Sequence, residues 1–442
     1  MAESVRVALH GSIVIGDFVY IDGGLQAQRV NGQFSNLSLN TKTLSIDMRT
    51  SWTNTTVNVS SIDNDGSPPF FHCSHWPDES SGSFYSWTGE VPAGSMVPQK
   101  SFWKFTCDGK GGGKWTRQPD TDTFQQLTWP VSGYSTTVDG ADNVGFETAD
   151  IIPVPGVVSY NFSTSQWNNK STERWNQYGT GIFGQAAEVP FAEGLLVLVG
   201  GESGSRTSIT NKGGYIDFRS LSIYDTATGN WYLQVTTGEA PSIRDSFCLA
   251  GVRGENSYEL FIFGGWLRAA GELYNDSYVL SLPAFHWFKG PTNTPPRKGH
   301  TCHAVGGGQV IVIGGYNRVV NDTLVWEEQD PWDHELGIFD LTAMEWKDRY
   351  NATAAAYESP KEVKSWYADA KNPEPNWTSE TVRALFARMT PMDSSATPPK
   401  NPTISSSAVS SSSTHKSWTA IILGTVVGSI TMVVSLAVLL VL

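Results

Sequence analysis

A short apolar run that stops at two glycines, then a second run ending in Asp, then a tryptophan, is the pattern that most restricts what this chain can become. Leu195 to Val199 runs into Gly200-Gly201 and is followed by Leu221-Ser222-Ile223-Tyr224-Asp225 and Trp231. Phe261 to Phe263 leads into Gly264-Gly265 and on to Trp287. Val310 to Ile313 leads into Gly314-Gly315 and Trp346, and Val19 to Asp22 leads into Gly23-Gly24 and Trp52. Two degenerate copies fill the interval. One passes through Phe84 to Gly89 and ends at Trp115; the other keeps only Val157 to Asn161 and Trp167. The six tryptophans stand about 59 residues apart on average. A period of this length marks one supersecondary unit that cannot bury its apolar face alone and must stack on its neighbours.

The runs are short, β-branched or aromatic, and bounded by Gly, Asn, Asp and Pro, so they read as strands. A strand into Gly-Gly, a strand ending in Asp and a strand carrying Trp together resemble the kelch repeat over roughly residues 5–350. The resemblance implies an all-β fold, a six-bladed kelch-type β-propeller with four strands per blade around a central channel. Under it, Val5 to Leu9 is expected as an inner strand of the first blade. Glycine tolerates positive φ and close backbone approach, and radial repetition leaves only short protected edges. Insertions at 61–83 and 202–216, and shorter ones at 266–274 and 316–335, are expected at the propeller faces as the candidate binding loops.

The expected organisation is a propeller over 1–350, an extension over 351–389, a stalk over 390–417 and a transmembrane helix over 418–442. In the extension, Val382, Leu385, Phe386 and Met389 have helical spacing behind an N-cap at Thr378 or Ser379, and the helix is expected to dock on the propeller rim. Half of residues 390–417 are Ser or Thr, with several Pro, a composition that cannot bury apolar surface. Residues 418–442 carry no charge and are long enough, at about 1.5 Å per residue, to cross a hydrocarbon layer of roughly 30 Å. The readings left open are a single-pass anchor, a GPI attachment signal behind small serines, and a tail anchor on a cytosolic propeller, which Lys416 favours. Met1 to Ile15 lacks the apolar core of a signal peptide, because Arg6 and His10 interrupt it.

Nine Asn-x-Ser/Thr sequons occur, at Asn36, Asn54, Asn58, Asn161, Asn169, Asn275, Asn321, Asn351 and Asn376. With the stalk, they favour an extracytoplasmic propeller. The net charge of −13, with no Lys/Arg run, removes nucleic acid from the expected partners. The four cysteines decide the compartment only weakly. Cys73 and Cys107 fall in one proposed blade and are disulfide candidates. Cys248 and Cys302 stand at matching places before two Gly-Gly strands, which the kelch resemblance makes innermost, and there they fit equally as buried thiols.

Catalytic constellations are sparse. His72-Cys73-x-His75 and His300-x-Cys302-His303 are the densest ligand-like groups, but neither has the paired spacing of a structural zinc site. Asp330, Asp333, His334 and Glu335 read as solvated turn residues rather than a cation loop. Gly-x-Ser-x-Gly, phosphate-loop and His-Glu-x-x-His motifs do not occur, and neither a catalytic set nor a cofactor or metal is expected. Arg244 and Arg297 precede the inner strands of the fifth and sixth proposed blades, where kelch repeats often carry a basic residue. There they serve either blade-to-blade hydrogen bonding or ligand recognition at the channel mouth. The chain is similar to fungal membrane-anchored kelch proteins. That similarity implies a non-enzymatic propeller that binds a protein or glycan through its loops. The alternatives are a metal-dependent oxidase like galactose oxidase, in which Cys248 or Cys302 would meet a tyrosine, and a structural surface protein. Fold alone does not decide among them.

Overall fold

The structure is a computed structural model. It describes residues 3–30, 33–34, 37–87, 89–91, 96, 98–127, 157–170, 175–192, 194–204, 213–317, 326, 328–372, 374–390 and 419–423. The first, second, fourth, fifth and sixth repeats each hold four antiparallel strands that follow in chain order, and Thr237–Gly238 adds a short parallel edge to the fifth. The first is Gly11–Ile15, Phe18–Asp22, Lys42–Asp47 and Val59–Asp63. The second is Ser74–Asp78, Ser83–Trp87, Phe102–Cys107 and Gly113–Arg117. The fourth is Gln185–Val189, Leu195–Val199, Ser220–Asp225 and Asn230–Val235. The fifth is Cys248–Arg253, Tyr258–Phe263, Ser277–Leu282 and His286–Lys289, and the sixth is Thr301–Ala304, Gln309–Ile313, Leu336–Asp340 and Glu345–Lys347. The Gly-Gly strand is second in its sheet and buried on both faces, which explains why it reads as a continuous apolar run rather than an alternating one.

Neighbouring sheets bury one apolar cluster between them, and the clusters succeed one another in a circle. Tyr20 and Trp115 lie between the first and second sheets, Trp76 and Tyr160 between the second and third, and Leu198 and Val157 between the third and fourth. Leu260 and Val197 pack between the fourth and fifth, Phe261 and Phe339 between the fifth and sixth, and Ile46 and Ile311 between the sixth and first.

Backbone hydrogen bonds close the ring. The second glycine of a pair donates its N–H to the lead-in of the next repeat: Gly24 to Phe70, Gly201 to Arg244, Gly265 to Arg297, and Gly315 to Val7, at 2.7–3.1 Å. Gly201 has φ of 78°, and a Cβ there would stand 2.5 Å from the Ile182 carbonyl oxygen, so no other residue fits. A second belt runs, among the described residues, through one left-handed residue in each of five repeats. His72 donates to Leu9, Leu9 to Gly299, Gly299 to Ser246 and Ser246 to Phe183, at 2.6–3.1 Å. Leu9, His72, Phe183 and Ser246 hold φ of 52–58° without being glycine, a strained region that persists only where the surroundings over-determine it. The belt is that surrounding.

Three expectations are corrected. The inner strand of the first repeat is Gly11–Ile15, not Val5 to Leu9. Glu3–Ala8 instead pairs antiparallel with Leu25–Val30, extending into a two-stranded ribbon the bridge that other repeats make with one residue pair. Trp52 is not on an outer strand, as the other five tryptophans are; Trp52–Thr53 pairs with Arg349–Tyr350, and the Trp52 and Tyr350 rings lie 5.4 Å apart. It was recruited to join the end of the sixth repeat to the first, leaving Val59–Asp63 to form the edge. The interval 61–83 is not one insertion, since it holds the end of that edge strand and all of Ser74–Asp78.

The third repeat is described by Val157–Asn161 and Gln166–Lys170. Against the other side of Val157–Asn161 lies Thr419–Leu423, in the place that the Gly-Gly strand holds elsewhere. This part of the expected transmembrane segment is therefore a strand. Its β-branched residues favour extended backbone, and the edge of Val157–Asn161 supplies the hydrogen-bonding partner. Among the described residues no helix is long and apolar enough to cross a membrane. Residues 391–418 and 424–442, with the rest of the expected stalk and anchor, lie outside the described residues.

After the sixth repeat the chain folds back over the turns between first and second strands. Tyr357 and Ser359 donate their hydroxyls to the buried carboxyl of Glu259 at 3.0 and 3.4 Å. Lys361–Ala368 is a helix whose Tyr367 hydroxyl accepts the Ala284 N–H at 3.2 Å. A second helix, Glu380–Leu385, is capped by the Ser379 hydroxyl, which accepts the Val382 N–H at 3.1 Å. Val382 and Phe386 are buried from it, and Phe386 packs between Phe191 and Phe285. This extension covers one end of the ring from the sixth repeat to the fourth.

Candidate functional site

The inner strands enclose a central channel of about 710 Å³. Its wall is polar where the first and sixth repeats meet. Ser12 Oγ lies 2.5 Å from Thr301 Oγ1 and 2.7 Å from His303 Nε2, and His10 Nε2 lies 2.9 Å from Thr301 Oγ1. Between the first and second repeats, the Cys73 thiol donates to the Asp22 carbonyl at 3.5 Å, and His75 Nε2 stands 3.9 Å from Asp22 Oδ2. Burial dominates the titration of these groups. It holds His10 down to about 3, and His75 and His303 down to about 4, and it pushes Asp22 up to about 6. The imidazoles are therefore neutral hydrogen-bonding groups in the seams between sheets. The two ligand-like groups read from sequence do not converge: His72 turns to Glu90 at 2.8 Å and His300 to the Phe263 carbonyl at 3.2 Å.

Cysteine pairing is the reverse of what sequence position favours. Cys248 and Cys302 form a disulfide across the adjacent inner strands of the fifth and sixth repeats, with Cα atoms 5.6 Å apart. Cys73 and Cys107 are free. Cys73 precedes the first strand of its sheet and Cys107 ends the third, at the opposite end of the blade. One strand lies between them, so the separation exceeds what a disulfide spans. Because the sulfurs of Cys248 and Cys302 are bonded to each other, neither is available for the tyrosine crosslink of a copper-radical oxidase.

Arg244 and Arg297 are fully buried and do not face the channel mouth. Arg244 donates to the Gly264 carbonyl at 3.2 Å and to both oxygens of Asp276. Arg297 donates to the Gly314 carbonyl and grips Asp330 with two nitrogens, at 2.8 and 3.1 Å. Each guanidinium thus satisfies a carbonyl left open by the double-glycine turn, and the ligand-binding role is corrected to a structural one. Arg6 plays the same part toward Gly315 and Asp330. It went unnoticed in the sequence although it stands five residues before its inner strand, close to the four of Arg244 and Arg297. The acidic loop after Arg297 also disperses: Asp330 serves these arginines, Glu335 accepts the Val7 N–H, and His334 Nδ1 meets the Asn54 carbonyl at 2.6 Å.

The end of the ring opposite the extension carries the double glycines and the long connections. Around the channel mouth there, Arg268 lies over Phe183 and Trp266 at 5.5 and 5.4 Å. The ammonium of Lys298 sits 3.0 Å from the Trp266 ring centre and 5.0 Å from that of Tyr316. The insertions at 202–216 and 266–274 are anchored by short ribbons, Glu202–Ser203 with Gly214–Tyr215 and Trp266–Leu267 with Glu272–Leu273. Of the sequons, Asn58, Asn169, Asn351 and Asn376 are exposed and Asn161 is half-buried. Asn54 and Asn275 are half-buried, with Nδ2 donating to the carbonyls of Leu336 and Thr292, each at 2.7 Å. Asn36 and Asn321 lie outside the described residues.

Residues 185–366 match the KLHDC2/KLHL20/DRC7 Kelch-repeats domain. The chain is 30% identical over 174 residues to a Kelch repeat-containing protein of Arthroderma benhamiae, covering 36% of this chain and 25% of that protein. It is 29% identical over 111 residues to Host cell factor of Drosophila melanogaster, covering 23% and 7%. The chain thus spans a quarter or less of the length of these relatives. The solved structure of YjhT superposes with a TM-score of 0.51 at 13% identity, over 77% of this chain and 97% of that one, which is a likeness of fold. The ring of sheets, joined by the same glycine contact at four seams among the described residues and matched by kelch sequences across its second half, makes this chain a kelch-repeat β-propeller protein.

Proposed function

We propose that this chain is a six-bladed propeller that recognises a protein partner through the face bearing its long connections. The observation that carries this reading is the inequality of the two ends. One is covered by the extension from the sixth repeat to the fourth. The other presents Tyr215, Arg268 and Tyr316 around the channel mouth, over a buried Trp266. Aromatic and arginine side chains of this kind carry most of the binding energy at protein interfaces, and kelch repeats generally mediate protein binding. The test is affinity capture with the immobilised chain, comparing wild type with Arg268→Glu and Tyr316→Ala on the loop face and Leu233→Ala elsewhere. Partners should be lost with the first two and kept with the third. Loss confined to Leu233→Ala would refute the assignment of the face, and specific signal on a glycan array with no protein captured would change the ligand class.

We infer further that the propeller works outside the cytoplasm, tethered through the part of the uncharged terminal segment that follows the Thr419–Leu423 strand. The Cys248–Cys302 disulfide supports this, because such bonds persist in oxidising compartments. So do the exposed sequons and the uncharged length of the terminal segment. A mobility shift of the expressed full chain on endoglycosidase treatment, together with its partition into a membrane pellet, tests both halves.

A further inference from the structure

The strand Thr419–Leu423 keeps the register of the Gly-Gly strands whose place it holds. In the fourth repeat Leu196 pairs with Tyr224, which pairs with Trp231, and Gly200 follows four residues after Leu196. In the fifth, Leu260, Leu280, Trp287 and Gly264 stand in the same relation, and in the sixth Val310, Phe339, Trp346 and Gly314. In the third, Ala420 pairs with Tyr160, Tyr160 pairs with Trp167, and the residue four after Ala420 in the sequence is Gly424. The strand also runs the same way. Thr419 lies opposite Asn161 and Leu423 opposite Val157, as Leu195 lies opposite Asp225 and Leu198 opposite Ser222. In the fourth repeat that direction leads from the extension end to the double glycine. Thr390, whose N–H donates to the Pro190 carbonyl at 2.8 Å, is at the extension end as well. The chain thus enters the third sheet at the covered end of the ring and leaves it, at Leu423, on the loop face.

Directly after Leu423 the sequence continues as an uncharged run, Gly424 to Leu442, which would reach about 28 Å as a helix, close to a hydrocarbon thickness of roughly 30 Å. Paired residues from Thr419 to Leu423 hold the strand, and no polar spacer separates it from that run. We propose that this strand mounts the propeller with its loop face against the lipid surface, so that the partner this face reads is one carried by the same membrane. Residues 391–418 alone could not fix an orientation, because a composition so rich in Ser and Thr buries no apolar surface. With the strand in its sheet the point of exit is set, and the extension is turned away from the bilayer. The half-exposed Tyr215, Arg268 and Tyr316 of the loop face suit this placement, since such side chains keep a polar tip in water while their apolar bodies meet the lipid boundary. The mounting rests on the tether reading, and its consequence for the partner rests in addition on the loop-face reading.

Phosphatidylcholine vesicles carrying a trace of headgroup-labelled acceptor lipid test it, with the full chain reconstituted into them and recovered by flotation. A donor dye is placed on Ala270→Cys, at the exposed tip of the fifth repeat's loop-face ribbon, or on Lys371→Cys, exposed on the extension. Energy transfer should be several-fold stronger from the first than from the second. Ile421→Pro combined with Ile422→Pro should erase that difference without preventing flotation. Successive N–H groups of a strand point to opposite sides, so one of the two prolines must break the ladder with Val157–Asn161. A chain that floats with equal or reversed transfer would overturn the mounting and leave the tether standing, whereas a chain that does not float would overturn both. A difference that survives the paired prolines would rule out the strand as the mount.

Discussion

Arg6 and Asp330 are joined by a 3.1 Å ion pair that is buried on both sides and spans 324 residues of sequence, between the start of the first repeat and the sixth. Arg297 grips the same carboxylate. Removing the shared anion by Asp330→Ala takes the ion-pair partner from two buried guanidiniums, with Glu335 and Glu328 left near Arg6 alone, and breaking a buried pair costs about 3–5 kcal/mol. The denaturant midpoint should fall accordingly. Arg6→Met should cost less, since Asp330 keeps Arg297. Equal effects in the two variants would show that the carboxylate is not shared.

The Cys248–Cys302 bond closes a loop with a sequence separation of 54. In the chain-entropy picture, cross-linking such a loop stabilises by about 4 kcal/mol. Cys248→Ser should therefore lower the melting temperature, and adding reductant to that variant should lower it no further. Thiol titration of the unreduced protein in denaturant should find Cys73 and Cys107 alone. In the native state both should react slowly, because burial raises the Cys107 thiol to about 11 and the Cys73 thiol further.

Stability should fall on mild acidification. Burial depresses His10, His75, His300 and His303, so the stability they contribute is present above about 6.5 and is lost as pH drops toward 4. Asp22, raised to about 6, and Asp245, raised to about 7, act in the opposite sense. Burial depresses His286 as well and raises Glu259, so five groups against three leave a net uptake of about two protons on unfolding near pH 5. The slope of unfolding free energy against pH measures that number, and zero or net release would contradict the buried, neutral state of these imidazoles.

Glycosylation, if the chain is exported, should concentrate on Asn58, Asn169, Asn351 and Asn376, whose side chains are exposed. Asn54 and Asn275 should stay bare, because their Nδ2 groups already donate to backbone carbonyls. Peptide mapping after endoglycosidase digestion reads occupancy directly, and full occupancy at Asn54 would contradict the folded geometry.

The repeat was legible because its defining residues answer to local rules. A buried second strand must be apolar throughout, and the turn after it must take positive φ, so Val199, Gly200 and Gly201 announce themselves in one dimension. The Ser379 cap and the apolar spacing behind it are equally local, and the helix they start is Glu380–Leu385. The channel wall was not legible in this way. Ser12 and His303 meet only because the ring brings the first repeat against the last, and nothing near either residue records the other.

The amino-acid order by itself determined the kind of element and its recurrence, because strand, turn and cap preferences act over a few neighbouring residues. Which cysteines bond, where the arginines point and which end of the ring stays open were decided by the tertiary structure. Cys248 reaches Cys302 across a seam between sheets. Arg297 turns inward because the double-glycine turn presents an open carbonyl and Asp330 a buried charge. Those energies arise from residues far apart in the chain that only ring closure makes neighbours.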